Sequence, residues 1–429
     1  MAIIKPSPIS GFSEYSPAIQ VRAQAILDSI RATFELHGFC PIETPIVERI
    51  EVLLSKSGDT DKEMYVLKRL QADDSQEADF GLRYDLTVPF ARYVAAHFSE
   101  LQFPFKRYQI QDCWRGERPQ EGRYRQFKQC DVDIVAIDQL PLAFDIEVPL
   151  VVMPILRALG LDDFDFRISN RNILDGYLAG LGLKQTQEAR RALDKLDKIG
   201  ADGVADLLSS MGIGASIIDK MLAIGAIKVR DLSFVDQVRA LGVEHELLDR
   251  GLEDLQYVAQ ACLQEGHPEF LFDMSVTRGF DYYTGTVYEV TWNTYPELGS
   301  VGGGGRYEDL AGNYINKKLP GVGMSIGFTR IFGKLIKDGK IAEPTEGTTK
   351  FLVMRMSDED QLAAQEVAGI LRGRGFSTEV YWTADKAKKQ FQYANRKQIP
   401  YVVFGTEGEV KDLRSGEQQS FDPNTFNPQ

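Results

Sequence analysis

CWRGERPQEGRYRQF, residues 113–127, places four arginines within eleven positions of a chain that carries 62 Asp+Glu against 49 Lys+Arg. The proline and glycine inside the stretch predict a loop, and the segments on either side of it, 103–115 and 126–136, have the pattern of two antiparallel strands. A guanidinium group at the end of the first strand can grip a phosphate bidentately. The loop is therefore a candidate phosphate-binding element, although each arginine taken singly is more often a surface residue.

The second of these strands presents one face that is unsuited to a protein core. Because side chains alternate across a strand, Phe127, Gln129, Asp131 and Asp133 share that face. Buried carboxylates need partners, so an aromatic ring beside an amide and two carboxylates is more typical of the wall of a polar ligand site. Arg115 ends the neighbouring strand close to this wall. A solvated sheet face with a salt-bridged loop is the alternative interpretation.

Length and composition indicate a globular protein of two or three domains, with 429 residues of which 43% are apolar. The net charge of -13 argues against a general polyanion binder, so any contact with nucleic acid requires local basic patches. The longest apolar run, 148–156, is too short to span a membrane and the N-terminus lacks a secretory pattern, so we expect a cytoplasmic protein without membrane association. Four cysteines without CxxC or Cys/His spacing predict neither structural zinc nor a disulfide scaffold.

Periodicity and Pro/Gly punctuation divide the chain into domains. Residues 184–265 have helical periodicity and predict a helical insertion, whereas the polar segment 337–349 predicts a linker. Beyond it, apolar strand-like runs alternate with helical ones, which is typical of an α/β domain. The stretch GSVGGGGRYEDL, 299–310, is expected to form a flexible turn into a helix, its glycines permitting close backbone packing. The predicted domains are 1–336 with the insertion 184–265 inside it, the linker 337–349, and 350–429.

Five segments between residues 37 and 330 resemble the motifs of class II aminoacyl-tRNA synthetases in their histidyl form. One such motif is a weak signal, whereas five in the family's order are a strong one. The long signature around Tyr282 and Tyr283 points to the histidyl-tRNA synthetase family rather than to a sister family. The segments are HGFCPIETPIVE (37–48, motif 1), LRYDLTVPFARY (82–93, amino-acid binding), FKRYQIQDCWRGERPQEGRYRQFKQCDVDI (105–134, motif 2), TRGFDYYTGTVYE (277–289, histidine signature) and GVGMSIGFTR (321–330, motif 3).

The resemblance implies an α+β fold: a class II catalytic core with an antiparallel sheet flanked by helices, a helical insertion, and a C-terminal α/β anticodon-binding-like domain that is short at its C-terminus. It implies a histidine–tRNA ligase, which converts L-histidine and ATP to histidyl-adenylate and pyrophosphate and then transfers histidine to the 3′ end of tRNA(His). ATP is implied as a substrate with Mg²⁺, and no zinc, other protein-held metal or organic cofactor is implied. Motif 1 builds a twofold interface in this family, so a homodimer is implied.

The resemblance also implies roles for individual residues, position by position. Arg278 and Arg115 match catalytic positions, with Arg278 between the substrate carboxylate and the α-phosphate. Gln120 matches a position that approaches the tRNA acceptor end. The implied ATP-binding residues are Arg115, Glu117, Arg123, Phe127 and Arg330, and the implied histidine-binding residues are Asp85, Thr87, Gln129, Asp133, Tyr282 and Tyr283.

The chain departs from the family pattern at Thr329, where motif 3 usually has an acidic residue before its arginine. A rival interpretation is the non-catalytic regulatory subunit of ATP phosphoribosyltransferase, which resembles the synthetases and senses histidine. A third is a tRNA-binding module without aminoacylation. The presence of Arg115, Arg278 and Arg330, together with a C-terminal domain, favours the enzyme.

Overall fold

The chain forms two compact units. The computed structural model describes residues 3–55, 58–71, 78–183, 186–276, 282–309, 311–341, 347–404 and 408–428. The first unit comprises Met1–Glu14 and Ile26–Asp338, and the second comprises Tyr15–Ala25 and Gly339–Gln429.

Helices and strands occur in both units. In the part of the chain that the structure describes, every helix is too short or too polar to span a membrane. The helices are α1 (Pro17–Leu36), α2 (Ile50–Leu54), α3 (Thr87–Ala96), α4 (Ala143–Ala158), α5 (Arg171–Gly180), α6 (Thr186–Leu193), α7 (Leu196–Ser210), α8 (Ala215–Gly225), α9 (Phe234–Ala240), α10 (Glu246–Gln264), α11 (Phe328–Lys337), α12 (Gln361–Gly373) and α13 (Ala387–Arg396). The strands are β1 (Cys40–Pro41), β2 (Val47–Arg49), β3 (Val66–Leu67), β4 (Phe80–Leu82), β5 (Phe105–Trp114), β6 (Gln126–Val135), β7 (Phe164–Asn170), β8 (Lys228–Val229), β9 (Phe270–Asp273), β10 (Tyr283–Trp292), β11 (Ser300–Tyr307), β12 (Gly321–Ile326), β13 (Phe351–Val353), β14 (Thr378–Val380), β15 (Tyr401–Val403), β16 (Glu409–Asp412) and β17 (Gln418–Ser420).

The first unit is built on a nine-stranded sheet, counted over the described part of the chain, in the order β1-β5-β6-β12-β11-β10-β7-β9-β8. Neighbouring strands from β5 to β7 run antiparallel, whereas β1 with β5 and β7 with β9 are parallel pairs. Helices cover this sheet, since α4 packs against β6 and β12, α11 against β6, and α10 against β7. The predicted α+β fold, with an antiparallel sheet flanked by helices, is confirmed, with parallel pairing confined to those two outer pairs.

The hairpin of β5 and β6 positions the wall that the sequence pattern predicts. The two strands pair without a register shift, so that Gln111 lies opposite Gln129 and Arg107 lies opposite Asp133. Directly opposite residues share a face of the sheet. The polar face of β6 therefore continues onto β5.

The glycine-rich stretch is a strand, so the expected flexible turn into a helix is wrong. Ser300–Tyr307 forms β11, in the sheet between β10 and β12. A Cβ atom on Gly304 would lie 2.1 Å from the carbonyl oxygen of Gly323 and 2.6 Å from Cα of Met324, both on β12. The glycines thus permit the close backbone packing that was expected of them. A run of glycines has no alternating side chains, so its strand periodicity cannot be detected in the sequence.

The region between α5 and β9 is mainly helical, as its periodicity predicts. Helices α6, α7 and α8 pack against one another, and α6 also contacts α5. The last helix, α10, packs along α5 and against α4 and β7, which links this region to the helical layer on the main sheet. The short strand β8 pairs with β9 at the sheet edge.

A separate small sheet carries the end of the motif 1 segment. Its order is β2-β4-β3 within the described residues, and α2 packs against it. Several large apolar side chains in and around this sheet are exposed instead of buried. They are Ile46, Val47, Leu54, Val66, Leu67 and Phe80.

The second unit has its own sheet, of five strands in the described residues, in the order β14-β13-β15-β16-β17. The first three strands are parallel and the last two pairs are antiparallel. Helices α12 and α13 follow β13 and β14 in the chain. The apolar side chains of β13 and β15 are buried in the unit's cores, and the half-buried Val380 of β14 packs against them. The α/β alternation predicted after the linker is confirmed.

Candidate active site

A pocket lies over the middle of the main sheet. It is bounded by β6, β10, β11 and β12, by the loop between β5 and β6, and by the starts of α3 and α11. The structure brings all the predicted ATP-binding and histidine-binding side chains to its lining. Gln120 is not among the lining residues, and Arg278 lies outside the described residues. The lining side chains with predicted roles are Asp85, Thr87, Arg115, Glu117, Arg123, Phe127, Gln129, Asp133, Tyr282, Tyr283 and Arg330.

One part of the pocket is lined by buried carboxylates. Asp133 on β6 accepts a hydrogen bond from the Tyr307 hydroxyl at 3.0 Å and forms an ion pair with Arg107 at 2.6 Å. Burial raises the pKa of Asp133 to about 7, against the opposing effect of Arg107. Burial likewise raises the pKa of Asp85 to about 7, although Asp85 accepts a hydrogen bond from the Val88 N–H at 3.1 Å in the first turn of α3.

Three acceptor oxygens in this part of the pocket are buried and have no hydrogen-bond donor within the described residues. They belong to Asp85 (Oδ2), Asp131 (Oδ1) and Gln129 (Oε1). The amide nitrogen of Gln129 donates to the Ser325 hydroxyl at 2.6 Å, which leaves the carbonyl oxygen of that side chain for another partner. Buried acceptors without donors are costly, and a protonated amine supplies three donors at one atom. The chemistry of this group therefore fits an ammonium ion.

Two adjacent tyrosines close the acidic side. The ring centroids of Tyr282 and Tyr283 are 4.8 Å apart, and Tyr282 packs edge-on against Tyr307. Burial raises the pKa of both Tyr282 and Tyr283 above the usual range, so the hydroxyls stay protonated. A neutral phenol can donate or accept a hydrogen bond, and such a group beside Asp133 can pair with a ring that carries two nitrogens.

The other part of the pocket is lined by arginines. The Arg115 side chain donates to the carbonyl of Tyr84 at 3.1 Å, and its guanidinium lies 5.0 Å from the ring centre of Phe127. Burial lowers the pKa of Arg330, and the charges of Arg115 and Arg123 lower it further. These guanidinium groups therefore repel one another, and an anion bound between them would offset the repulsion. The arrangement fits a polyphosphate.

The loop between β5 and β6 is held against α11 in a defined shape. Arg330 donates to the carbonyl of Gly122 at 2.6 Å and also to the carbonyl of Ser300. Gly122 has a φ of +72°, a conformation that L side chains rarely adopt, and forms part of a tight turn at the loop tip. The Glu117 carboxylate lies 3.5 Å from a terminal nitrogen of Arg123 and forms an ion pair with it across the loop.

Family models match both parts of the chain. One described as "Histidyl-tRNA synthetase" covers residues 11–331, and one described as "Anticodon binding domain" covers residues 350–424. A "Histidine–tRNA ligase" of Thermobifida fusca is 49% identical over 433 residues, covering 99% of each chain. The chain belongs to the histidyl-tRNA synthetase family. Another "Histidine–tRNA ligase", of Clostridium tetani, is 40% identical and covers 97% of this chain and 96% of its own.

Solved structures agree with this assignment to the histidyl-tRNA synthetase family. Histidyl-tRNA synthetase from Nostoc sp. PCC 7120 superimposes with a TM-score of 0.84 at 35% identity, covering 97% of both chains. A protein from Bacillus halodurans C titled "ATP phosphoribosyltransferase regulatory subunit/histidyl-tRNA synthetase" has a TM-score of 0.77 at 20% identity, covering 94% of this chain and 98% of its own. At that identity the second likeness shows the fold alone.

Thr329, where this member of the family departs from motif 3, has a defined structural place. Its hydroxyl is buried and accepts a hydrogen bond from the backbone N–H of Lys128 at 2.7 Å. The pairing of β6 with β12 ends at Cys130 opposite Ile326, so this N–H lies just beyond the ladder. The threonine thus satisfies a backbone donor that the sheet leaves without a partner.

The sequence assigned no function to two residues at this site, Asp131 and Arg107. Asp131 lay on the predicted wall face, but the family motifs assigned it no function, and it now lines the pocket with a pKa raised by burial to about 6. Arg107 had no assignment at all, because a charged residue in a strand more often faces solvent. The strand parity that placed Asp133 on the wall would also have placed Arg107 there, had the hairpin register been known.

Proposed function

We propose that this chain is a histidine–tRNA ligase that converts L-histidine and ATP to histidyl-adenylate and pyrophosphate, then transfers the histidyl group to the 3′ end of tRNA(His). The observation that carries the proposal is the composition of one pocket. Buried acceptor oxygens and tyrosines line one part, and three arginines line the other. The first part complements a small ammonium-bearing substrate whose aromatic ring has two nitrogens. The second part complements a polyphosphate.

In the acidic part, Asp85, Thr87 and Gln129 would bind the α-ammonium of histidine. Asp133 and Tyr283 would pair with the two imidazole nitrogens, and Tyr282 would line the same subsite. An amino acid without those nitrogens would leave buried polar groups unpaired, which can cost a factor of about 10⁴ to 10⁵ in selection. The proposal therefore requires no editing site.

In the arginine-lined part, Arg115 would hold the α-phosphate, Arg123 the outer phosphates and Arg330 the γ-phosphate. Phe127 would stack on adenine, with Glu117 near its amino group. The guanidinium of Arg115 already lies over the Phe127 ring, which supports a base and a phosphate meeting at that point. Mg²⁺ would enter with the substrate ATP and neutralise phosphate charge that the arginines do not reach.

In the first step the histidine carboxylate attacks the α-phosphorus. A bond forms between that oxygen and phosphorus, and the bond to the β-phosphate oxygen breaks, releasing pyrophosphate. Two anions must approach each other, so fixed cations aimed at the transition state lower the barrier, and Arg278 is proposed for this position beside Arg115. A carboxylate nucleophile needs no general base. In the second step the terminal ribose hydroxyl of the tRNA attacks the carbonyl carbon of histidyl-adenylate. An ester bond forms, the bond from that carbon to the phosphate oxygen breaks, AMP leaves, and the hydroxyl proton passes to solvent.

The domains would divide the work between chemistry and tRNA binding. We assign residues 1–336 to catalysis, with 184–265 as a helical insertion, 337–349 to a linker, and 350–429 to anticodon binding. Trp382 in the second unit is 58% exposed and stacks on Tyr381, an arrangement suited to base stacking. Gln120, exposed in the loop of the first unit, would approach the acceptor end.

Assembly as a homodimer is also proposed, in the cytoplasm where tRNA is charged. The support is the group of exposed apolar side chains around the small sheet of β2, β4 and β3, next to the motif 1 segment. A contiguous exposed apolar surface commonly marks a protein interface, and a twofold axis lets one such surface cover its own copy.

The regulatory-subunit alternative needs histidine binding without ATP chemistry. The convergence of Arg115, Arg123 and Arg330 on one pocket, and full-length relatives named "Histidine–tRNA ligase", support the enzyme instead.

The test is a pair of variants measured in exchange of labelled pyrophosphate into ATP. Arg115→Ala should raise the KM for ATP and lower kcat while leaving the KM for histidine within about twofold, because it removes a phosphate contact. Asp133→Asn should raise the KM for histidine by about 10²-fold and leave the KM for ATP nearly unchanged. Equal effects of both variants on both substrates would refute the division of the pocket.

A further inference from the structure

Arg107 is a buried arginine on the same face of the sheet as the acidic wall. It lies on β5 with no exposed surface, directly opposite Asp133 on β6. Its guanidinium lies 4.3 Å from the ring centre of Phe90 on α3, and it is absent from the residues that line the pocket. Burying a guanidinium costs desolvation free energy unless the group is paired with an anion. The anion that pairs with Arg107 therefore indicates what Arg107 does.

That partner is the side chain proposed to recognise the imidazole. Oδ2 of Asp133 lies 2.6 Å from a terminal nitrogen of Arg107, and Oδ1 accepts the Tyr307 hydroxyl at 3.0 Å. Arg107 comes from β5 and Tyr307 from β11, on either side of β6 and β12 in the sheet. The carboxylate therefore has a hydrogen bond at Oδ1 and a close charge contact at Oδ2, and each oxygen keeps a lone pair for a ligand.

We propose that Arg107 is a positioning residue for histidine recognition, which keeps Asp133 an oriented anion able to accept a hydrogen bond from the substrate imidazole. The proposal rests on the role proposed for Asp133. It adds a residue that does not touch the substrate and acts through another side chain.

The charges around Asp133 explain why such a cation is needed. Asp131 on the same strand and Asp85 before α3 both raise the pKa of Asp133, and burial raises it most. Within the described part of the chain, the phenols of Tyr307 on β11 and Tyr283 on β10 also face it, and both stay neutral.

Arg107 is the largest influence that lowers the pKa of Asp133. Without the guanidinium, the pKa of Asp133 would rise above its present value of about 7, so the protonated form would predominate at neutral pH and one of its oxygens would become a donor. A carboxylic acid at this position would no longer present two acceptors to an imidazole N–H.

A second buried pair provides a matched control in the same unit. Arg306 on β11 lies 2.5 Å from Asp145 at the start of α4, and the Asp145 side chain is fully buried. Neither residue lines the pocket. Removing this guanidinium also leaves a buried carboxylate without its cation, so it reproduces the structural cost without the proposed effect on the substrate.

The experiment compares full-length wild-type protein with Arg107→Gln, Arg107→Lys and Arg306→Gln. Pyrophosphate exchange is measured against histidine and ATP concentration between about pH 5.5 and pH 9. For Arg107→Gln we expect the KM for histidine to rise about 20-fold or more with the KM for ATP within about twofold. The acid limb of kcat/KM for histidine should move up by about one pH unit or more, because the pKa of Asp133 rises when the cation is removed.

The other variants separate positioning from folding. Arg107→Lys retains the charge, so its acid limb should stay within about half a pH unit of wild type, and this variant decides the matter if Arg107→Gln does not fold. Arg306→Gln should lower the melting temperature and leave the acid limb in place. Any one of three results would overturn the proposal. The acid limb of kcat/KM for histidine could stay unshifted in Arg107→Gln, it could shift by a full pH unit in Arg107→Lys, or it could shift in Arg306→Gln as it does in Arg107→Gln. Absence of exchange in the wild type would instead refute the proposed function.

Discussion

Replacing Gly304 with alanine should damage the sheet and the pocket together. Gly304 lies on β11 and lines the pocket, and its missing side chain faces the backbone of β12. An added Cβ would meet the Gly323 carbonyl oxygen at 2.1 Å and Met324 Cα at 2.6 Å. Comfortable contacts between such atoms begin near about 3.5 Å, so the two strands must separate by about 1 Å.

The magnitude follows from that displacement. Overpacking against backbone costs about 1 to 3 kcal/mol, and stretching two ladder hydrogen bonds costs about 1 kcal/mol each, which gives about 3 to 5 kcal/mol of lost stability. Because Met324 and Ser325 line the pocket, the same displacement should lower the exchange rate by about 10²-fold in the fraction that folds.

Thermal unfolding followed by circular dichroism, together with pyrophosphate exchange, would test this. Gly214→Ala is the matched control, because Gly214 lies in the first unit, has a negative φ, and a Cβ there meets nothing within 4 Å. We expect the control to unfold within about 2 °C of wild type and Gly304→Ala to unfold about 5 °C lower or more. Two variants with equal midpoints and equal rates would refute the account of the glycine-rich strand.

Three further predictions concern the chemistry of the site. Arg278→Ala should lower adenylate formation by at least about 10²-fold without changing the circular dichroism spectrum, and an unchanged rate would remove its catalytic assignment. Thr329→Val should cost about 1 to 3 kcal/mol in unfolding free energy by leaving the Lys128 N–H without an acceptor, while Thr329→Ser restores most of it; equal losses in the two variants would contradict the hydrogen bond's role. In the substrate-free protein the pKa of Asp133 is about 7 against 3.8 for a free aspartate, so its ionisation opposes folding as pH rises through that interval. Between about pH 5.5 and pH 8 the wild type should therefore lose about 2 kcal/mol more stability than Asp133→Asn, and parallel stability curves would contradict the shift.

Alternation along single strands explains how much of the site could be predicted. The parity of β6 placed Phe127, Gln129 and Asp133 on one face, and all three line the pocket. A different signal, the proline and glycine inside the stretch, identified the loop of arginines. Position-by-position resemblance then supplied residues from other segments, such as Asp85 and Arg330, whose convergence no local pattern could show.

What the sequence did not reveal depends on tertiary neighbours. The sequence pattern predicts a turn at Ser300–Tyr307 because glycine lacks the side chains that show a two-residue period, whereas the close contact with β12 explains the glycines of this strand. The charge of Arg107 predicts a solvent-exposed side chain, yet Arg107 is completely buried, where it forms an ion pair with Asp133. Register across the β5–β6 hairpin is the missing information in that case, and it is fixed by the folded sheet.

Histidine-dependent exchange of labelled pyrophosphate into ATP is the most direct test of the central claim, that one pocket holds histidine beside the α-phosphate of ATP. Each common amino acid should be offered in turn to the full-length protein with ATP and Mg²⁺. The account predicts exchange with histidine and none above background with the others. Histidine binding without exchange, or exchange with a different amino acid, would contradict it.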